Sequence, residues 1–106
     1  MKADATTTVR LFCAGRGLPA PAAEYHFARP RRFRFDLCWM EQRVAMEIQG
    51  GIWNRGHHVR GKGYEDDCEK AMLAVSLGWR LLPATPGQIR SGLALSYLEK
   101  ILRGAA

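Results

Sequence analysis

The sequence predicts an α/β domain, a central mixed sheet of about four strands flanked by helices, with elements in the order α-β-β-β-α-β-α. Three observations predict it. Residues 33–39 and 44–48 alternate apolar and polar side chains with the period of two that a strand requires. Residues 64–78, YEDDCEKAMLAVSLG, and residues 91–102 instead repeat apolar side chains at helical spacing. Between those two helices runs WRLLPA, residues 79–84, short and apolar enough for a buried strand. A chain of 106 residues holds one such domain, residues 1–106, with a single core.

Taken in order, residues 6–16 form a short helix with Val9, Leu11, Phe12 and Cys13 available for burial, broken by GLPAP. A strand from Glu24 to Phe27 places Tyr25 and Phe27 on one side and Glu24 and His26 on the other, and the basic turn ARPRR follows. Phe33, Phe35, Leu37 and Trp39 then alternate with Arg32, Arg34, Asp36 and Cys38. Val44, Met46 and Ile48 alternate in the same way with Ala45, Glu47 and Gln49, so the two segments pair as an antiparallel hairpin. Beyond the Gly-rich basic loop GGIWNRGHHVRGKG, the helix of 64–78 turns Tyr64, Cys68, Met72 (or Ala71) and Val75 inward. Glu65, Asp66 and Asp67 complement its dipole in the first turn, and Gly78 stops it. Thr85 and Gln88 around Pro86 make a capping-box start to a short helical turn. The last helix offers Leu95, Leu98, Ile101 and Leu102 to the core, with Ala94 beside them. Met40, Met46 and Met72 read as packing residues, and Trp53 as a cover for the core edge or a stacking partner for a base.

Composition narrows the function class. Sixteen Lys and Arg, twelve of them Arg, oppose ten Asp and Glu for a formal charge of +6. That excess fits a polyanionic partner, most simply nucleic acid, or else a generally basic surface. Cys13, Cys38 and Cys68 are odd in number and widely spaced, with no C-x-x-C to suggest a zinc knuckle or a redox pair. No apolar run approaches transmembrane length, and MKADATTTVR lacks a signal-peptide core. The expectation is a cytoplasmic protein with no membrane partner.

Chemistry enters through two acids in the hairpin. Matching the aromatic face of one strand to the aliphatic face of the other fixes the parity of the register. With the turn on Glu41 and Gln42, Trp39 pairs with Val44, Leu37 with Met46, and Asp36 with Glu47. Side chains so opposed have Cβ atoms about 4.5–5.5 Å apart, and like charges there destabilise a sheet. A divalent cation between the carboxylates would compensate, and hard oxygen ligands suit Mg²⁺. Pairing with Arg32, Arg34 or Arg43 on a solvated face would do so as well. If Tyr25 and Phe27 join the aromatic face, Glu24 falls beside Asp36 and makes a third acid.

An acid on one hairpin strand and Glu-x-polar on the next, then a helix and a further strand, resembles the PD-(D/E)XK nuclease superfamily with its restriction-endonuclease-like fold. The resemblance covers roughly residues 24–84. EIQGGIW followed by HH, a helix and GWRLL is most similar to small bacterial and phage nucleases related to the very-short-patch mismatch repair endonuclease. It implies that Asp36 and Glu47 hold Mg²⁺, with Mn²⁺ able to substitute, together with the backbone carbonyl of Ile48. Gln49 stands where the family carries lysine, and Glu24 matches an additional N-terminal acid. An amide orients water but supplies no positive charge, so the general base is left unassigned. His57 or His58 could exchange a proton in the reaction or simply touch phosphate. Lys70, if it faces the sheet, could supply the cation missing at Gln49; otherwise it pairs with Asp66 or Asp67. Arg55, Arg60 and Lys62 among the loop glycines, and Arg31 and Arg32 in the basic turn, read as contacts to the DNA backbone.

The expected activity is hydrolysis of DNA phosphodiester bonds by a metal-dependent endonuclease, nicking or structure-specific. A homodimer is expected where both strands or a junction are cut. One alternative is a non-catalytic nucleic-acid-binding domain with a degenerate nuclease site, which Gln49 favours. Another is a ββα-metal (HNH-type) nuclease, suggested by Asn54 and the histidine pair; that chemistry needs a histidine on the following helix, and residues 62–78 contain none.

Overall fold

A computed structural model describes residues 2–49 and 62–104. The elements run α1 (Lys2–Gly15), β1 (Ala22–His26), β2 (Arg34–Trp39), β3 (Val44–Ile48), α2 (Lys62–Ser76), β4 (Arg80–Ala84), α3 (Pro86–Arg90) and α4 (Leu93–Gly104). Four strands form one sheet in the order β1-β2-β3-β4, antiparallel except for the parallel β3–β4 pair that α2 connects. The mixed α/β architecture is the one expected from the sequence. The added helix α3 is the turn foreseen at TPGQ: the Thr85 hydroxyl accepts the Gln88 N–H and the Gln88 side chain accepts the Thr85 N–H, each at 3.1 Å.

Both faces of the sheet are covered. On one, Leu37, Trp39, Val44, Met46 and Ile48 pack with Val9 and Cys13 of α1, Ile89 of α3, and Leu95, Leu98 and Leu102 of α4. On the other, Cys38 and Ala45 meet Ala74 of α2 and Trp79. Cys38 and Ala45 are therefore fully buried although they alternate with the aromatic face. Phe35 departs from Leu37 and Trp39 and joins this second cluster, stacked on Phe27 at 4.0 Å and edge-on to Trp79 at 4.8 Å. Two features account for it. The β2–β3 ladder ends at Leu37↔Met46, and Glu24 in the adjoining strand has a left-handed φ of 51° that breaks the alternation of β1.

Other expectations are corrected. Leu11 is 67% exposed, because Ala5, Val9 and Cys13 form the inward stripe of α1 and Leu11 lies about 200° around the helix from Val9. WRLLPA is not a buried strand: β4 is a sheet edge with Arg80 and Pro83 exposed. The helix of 64–78 begins earlier, at Lys62, which leaves Glu65 as the acid of its first turn. Of its expected stripe, Cys68, Met72 at 66% and Val75 at 59% exposure are outward, whereas Tyr64, 53% exposed, and the alternative Ala71 line the cleft over the sheet. Met40 is likewise exposed, whereas Met46 is in the core.

The end of α2 is as expected and positions β4. Gly78 takes φ 91°, the Trp79 N–H bonds the Ala74 carbonyl and the Gly78 N–H the Val75 carbonyl, both at 3.0 Å, a Schellman closure. Arg43 fastens the same corner, donating to the Leu77 carbonyl at 2.8 Å and stacking over Trp79. Among the described residues, no helix is long and apolar enough to cross a membrane.

Candidate functional site

The hairpin adopts the simplest register that its parity allows, with Leu37 opposite Met46 and Trp39 opposite Val44. One step further along that register Asp36 faces Glu47, and there side chains take the place of the ladder. The Asp36 N–H donates to Glu47 Oε2 at 3.0 Å, and the Ile48 N–H donates to Asp36 Oδ2 at 2.7 Å. Each carboxylate thus serves an amide of the opposite strand. Hydrogen bonds from amides to carboxylates are charge-assisted and offset part of the repulsion between two acids in one place.

Glu47 draws its remaining compensation from α2. Its Oε1 accepts a hydrogen bond from the Lys70 ammonium, so Lys70 faces the sheet rather than solvent, and among the described residues it, not an arginine, is the cation on Glu47. Burial pushes the Glu47 carboxyl above its ordinary range, helped by the neighbouring Asp36 charge and opposed by the hydrogen bond and charge of Lys70 and by the Asp36 N–H. Glu24 falls opposite Asp36 between the pairs Ala23↔Leu37 and Tyr25↔Phe35, a register that parity allows, yet among the described residues it does not complete a cluster of three acids. Its half-exposed side chain pairs with Arg34 at 3.4 Å.

These groups line a cleft of about 650 Å³ between the sheet and α2. Glu24, Arg32, Asp36, Glu47, Ile48, Gln49 and Lys70, all singled out from the sequence, converge on it. Gln49 follows β3 directly and is fixed there by its N–H to the Ala84 carbonyl at 2.8 Å. Arg31 does not reach the cleft: it pairs with Glu69 of α2 at 3.1 Å and covers the Phe33 ring at 4.5 Å. Arg34, Tyr64 and Asp67 line the cleft too, although the sequence offers Arg34 and Asp67 only as ion-pair partners and Tyr64 only as part of an apolar stripe. Asp67, Lys70 or Ala71, and Ala74 recur at helical spacing, a polar and small stripe that apolar periodicity does not register.

The donor set suits a small hard cation. Mg²⁺ is commonly held by one or two carboxylates with waters and substrate phosphate, not by an all-protein cage. Two converging carboxylates meet that need, and among the described residues no group of three or more His, Cys, Asp or Glu gathers into a larger cluster. The expectations for His57, His58, Arg55, Arg60, Trp53 and Asn54 fall outside the described residues, and Lys62 is described only as the first residue of α2. The chain matches no family model, no curated protein and no solved structure.

Proposed function

We propose that the chain is a Mg²⁺-dependent endonuclease of the PD-(D/E)XK kind, with the restriction-endonuclease-like fold, that hydrolyses phosphodiester bonds in DNA. One observation carries the reading: Asp36 on β2 and Glu47 on β3 are crossed by hydrogen bonds at the floor of a cleft that Gln49, Lys70, Arg32 and Arg34 also line. Asp36, Glu47 and the Ile48 carbonyl would hold the cation. When bound, such an ion supplies an activated water and stabilises oxyanion charge.

The chain's own residues divide the remaining work. Gln49 is at the cleft to orient a water through its amide, and Lys70 offers the positive charge that an amide lacks. Arg32 and Arg34 at the cleft provide phosphate contacts, and the excess of six positive charges draws the polyanion in. Three free thiols suit a reducing cytoplasm. Two copies of the chain would be needed to cut both strands.

Plasmid nicking tests the reading. Wild-type protein should nick with Mg²⁺ and not with EDTA, and Asp36→Asn and Glu47→Gln should each abolish nicking while circular dichroism shows the fold intact. Variants that cut at near-normal rates would overturn the metal assignment. A second reading, a DNA-binding domain that does not cleave, is favoured by the engagement of both Glu47 oxygens within the chain. Salt-sensitive gel shifts without any nicking in Mg²⁺ or Mn²⁺ would support it.

A further inference from the structure

Lys70 and Glu47 form the most enclosed ion pair described, with side chains 21% and 18% exposed. Other ion pairs among the described residues, Arg16–Glu99, Arg31–Glu69, Arg34–Glu24 and Arg103–Glu99, each have at least one partner about half exposed. The pair also joins elements far apart in sequence, since Lys70 comes from the helix that roofs the cleft and Glu47 from its floor. Both oxygens of Glu47 are thereby engaged, one by the Asp36 N–H and one by the ammonium. A divalent ion ligated by Glu47 must share or displace that ammonium.

We propose that Lys70 is a built-in competitor of the divalent cation: it offsets the Glu47 charge in the metal-free protein and sets how tightly the metal binds. The inference rests on the metal-dependent reading above. Two charges of the same sign on one carboxylate repel, the more so where little water reaches them, so the ammonium weakens metal binding. A lysine stem is long and flexible, and the ammonium that leaves Glu47 can turn to another anion in the cleft, such as a phosphate. The same side chain then opposes the metal and assists DNA. A lysine that merely braced α2 against the sheet would act the other way, because its loss would loosen the carboxylates and weaken the metal.

Calorimetric titration with Mn²⁺, in the absence of DNA, separates these cases. Lys70→Gln should bind Mn²⁺ about tenfold more tightly than wild type, Lys70→Arg within about threefold of it, and Asp36→Asn not at all. Plasmid nicking by Lys70→Gln should nevertheless be slower. Equal or weaker Mn²⁺ binding by Lys70→Gln, with binding lost in Asp36→Asn, would overturn the inference and leave the metal site standing. No Mn²⁺ uptake by wild type or Lys70→Gln would overturn both. Should Lys70→Gln fail to fold, the side-chain ammonium resonance of Lys70 in wild-type protein takes its place. Saturating Mg²⁺ should shift it together with the Asp36 and Ile48 amides, and an unmoved ammonium beside shifted amides would refute the competition.

Discussion

Helices α4 and α2 carry similar apolar stripes in sequence and orient them oppositely. In α4 the stripe is the buried face: Leu95, Leu98 and Leu102 seat against β2, β3 and α1. In α2 the stripe positions Cys68, Met72 and Val75 are outward, and the residues on the cleft side are Tyr64, Asp67, Lys70, Ala71 and Ala74. The difference lies in what each helix covers. Across from α4 is a continuous hydrocarbon surface, whereas across from α2 are Asp36 and Glu47, which a leucine could not satisfy and an ammonium can. Small Ala74 then lets the helix close on Trp79 and Phe35. Hydrophobic periodicity identifies the apolar face of a helix; it identifies the inward face only where the opposite surface is apolar too.

Substitutions can break or sharpen this contrast. The largest effect is expected in α4, where Leu98→Ala empties a fully buried site and should cost about 2–5 kcal/mol in urea unfolding. Next comes the true inward face of α2: Ala74→Leu overfills a site with no exposed surface and should cost about 1–3 kcal/mol. If that variant is as stable as wild type, α2 does not sit as described.

The buried acid adds a pH signature. Its folded-state value is raised from the ordinary 4.5, so the folded state holds the proton more tightly than the unfolded one. Glu47's contribution to stability is complete below about 4.5 and is lost as the pH rises through the folded-state value. The stability of wild type relative to Glu47→Gln should therefore fall as the pH is raised above 4.5, and a difference that is flat or rising would contradict the burial. Smallest of all is Met72→Gln on the outer face of α2, expected within about 0.5 kcal/mol of wild type. A loss matching that of Leu98→Ala would place Met72 in a core.

What could be read from the sequence follows the same division. The hairpin, its register and the approach of Asp36 to Glu47 were legible because period two and a shared aromatic face leave few ways to pair the strands. The Thr85 cap, the Gly78 stop and the α4 stripe were legible because each is a local device. The crossed hydrogen bonds of Asp36 and Glu47 and the reach of Lys70 were not, since they depend on how closely α2 settles over β3 across 23 residues of sequence. The edge position of WRLLPA was hidden for a related reason: an apolar run tells that a strand is covered, not which side lacks a neighbour.

That edge has a consequence for how the chain behaves among copies of itself. The Arg80 N–H donates to the Arg43 carbonyl and the Ala84 carbonyl accepts from Gln49, so the alternation of a strand turns the backbone at Leu81 and Pro83 outward. Pro83 has no N–H to offer there, and its ring crowds any strand that would lie alongside. At the far side of the sheet, left-handed Glu24 kinks the other edge without shifting its register. A sheet kinked at one rim and carrying a proline at the other is a poor template for further strands, which guards copies of the chain against growth into fibres.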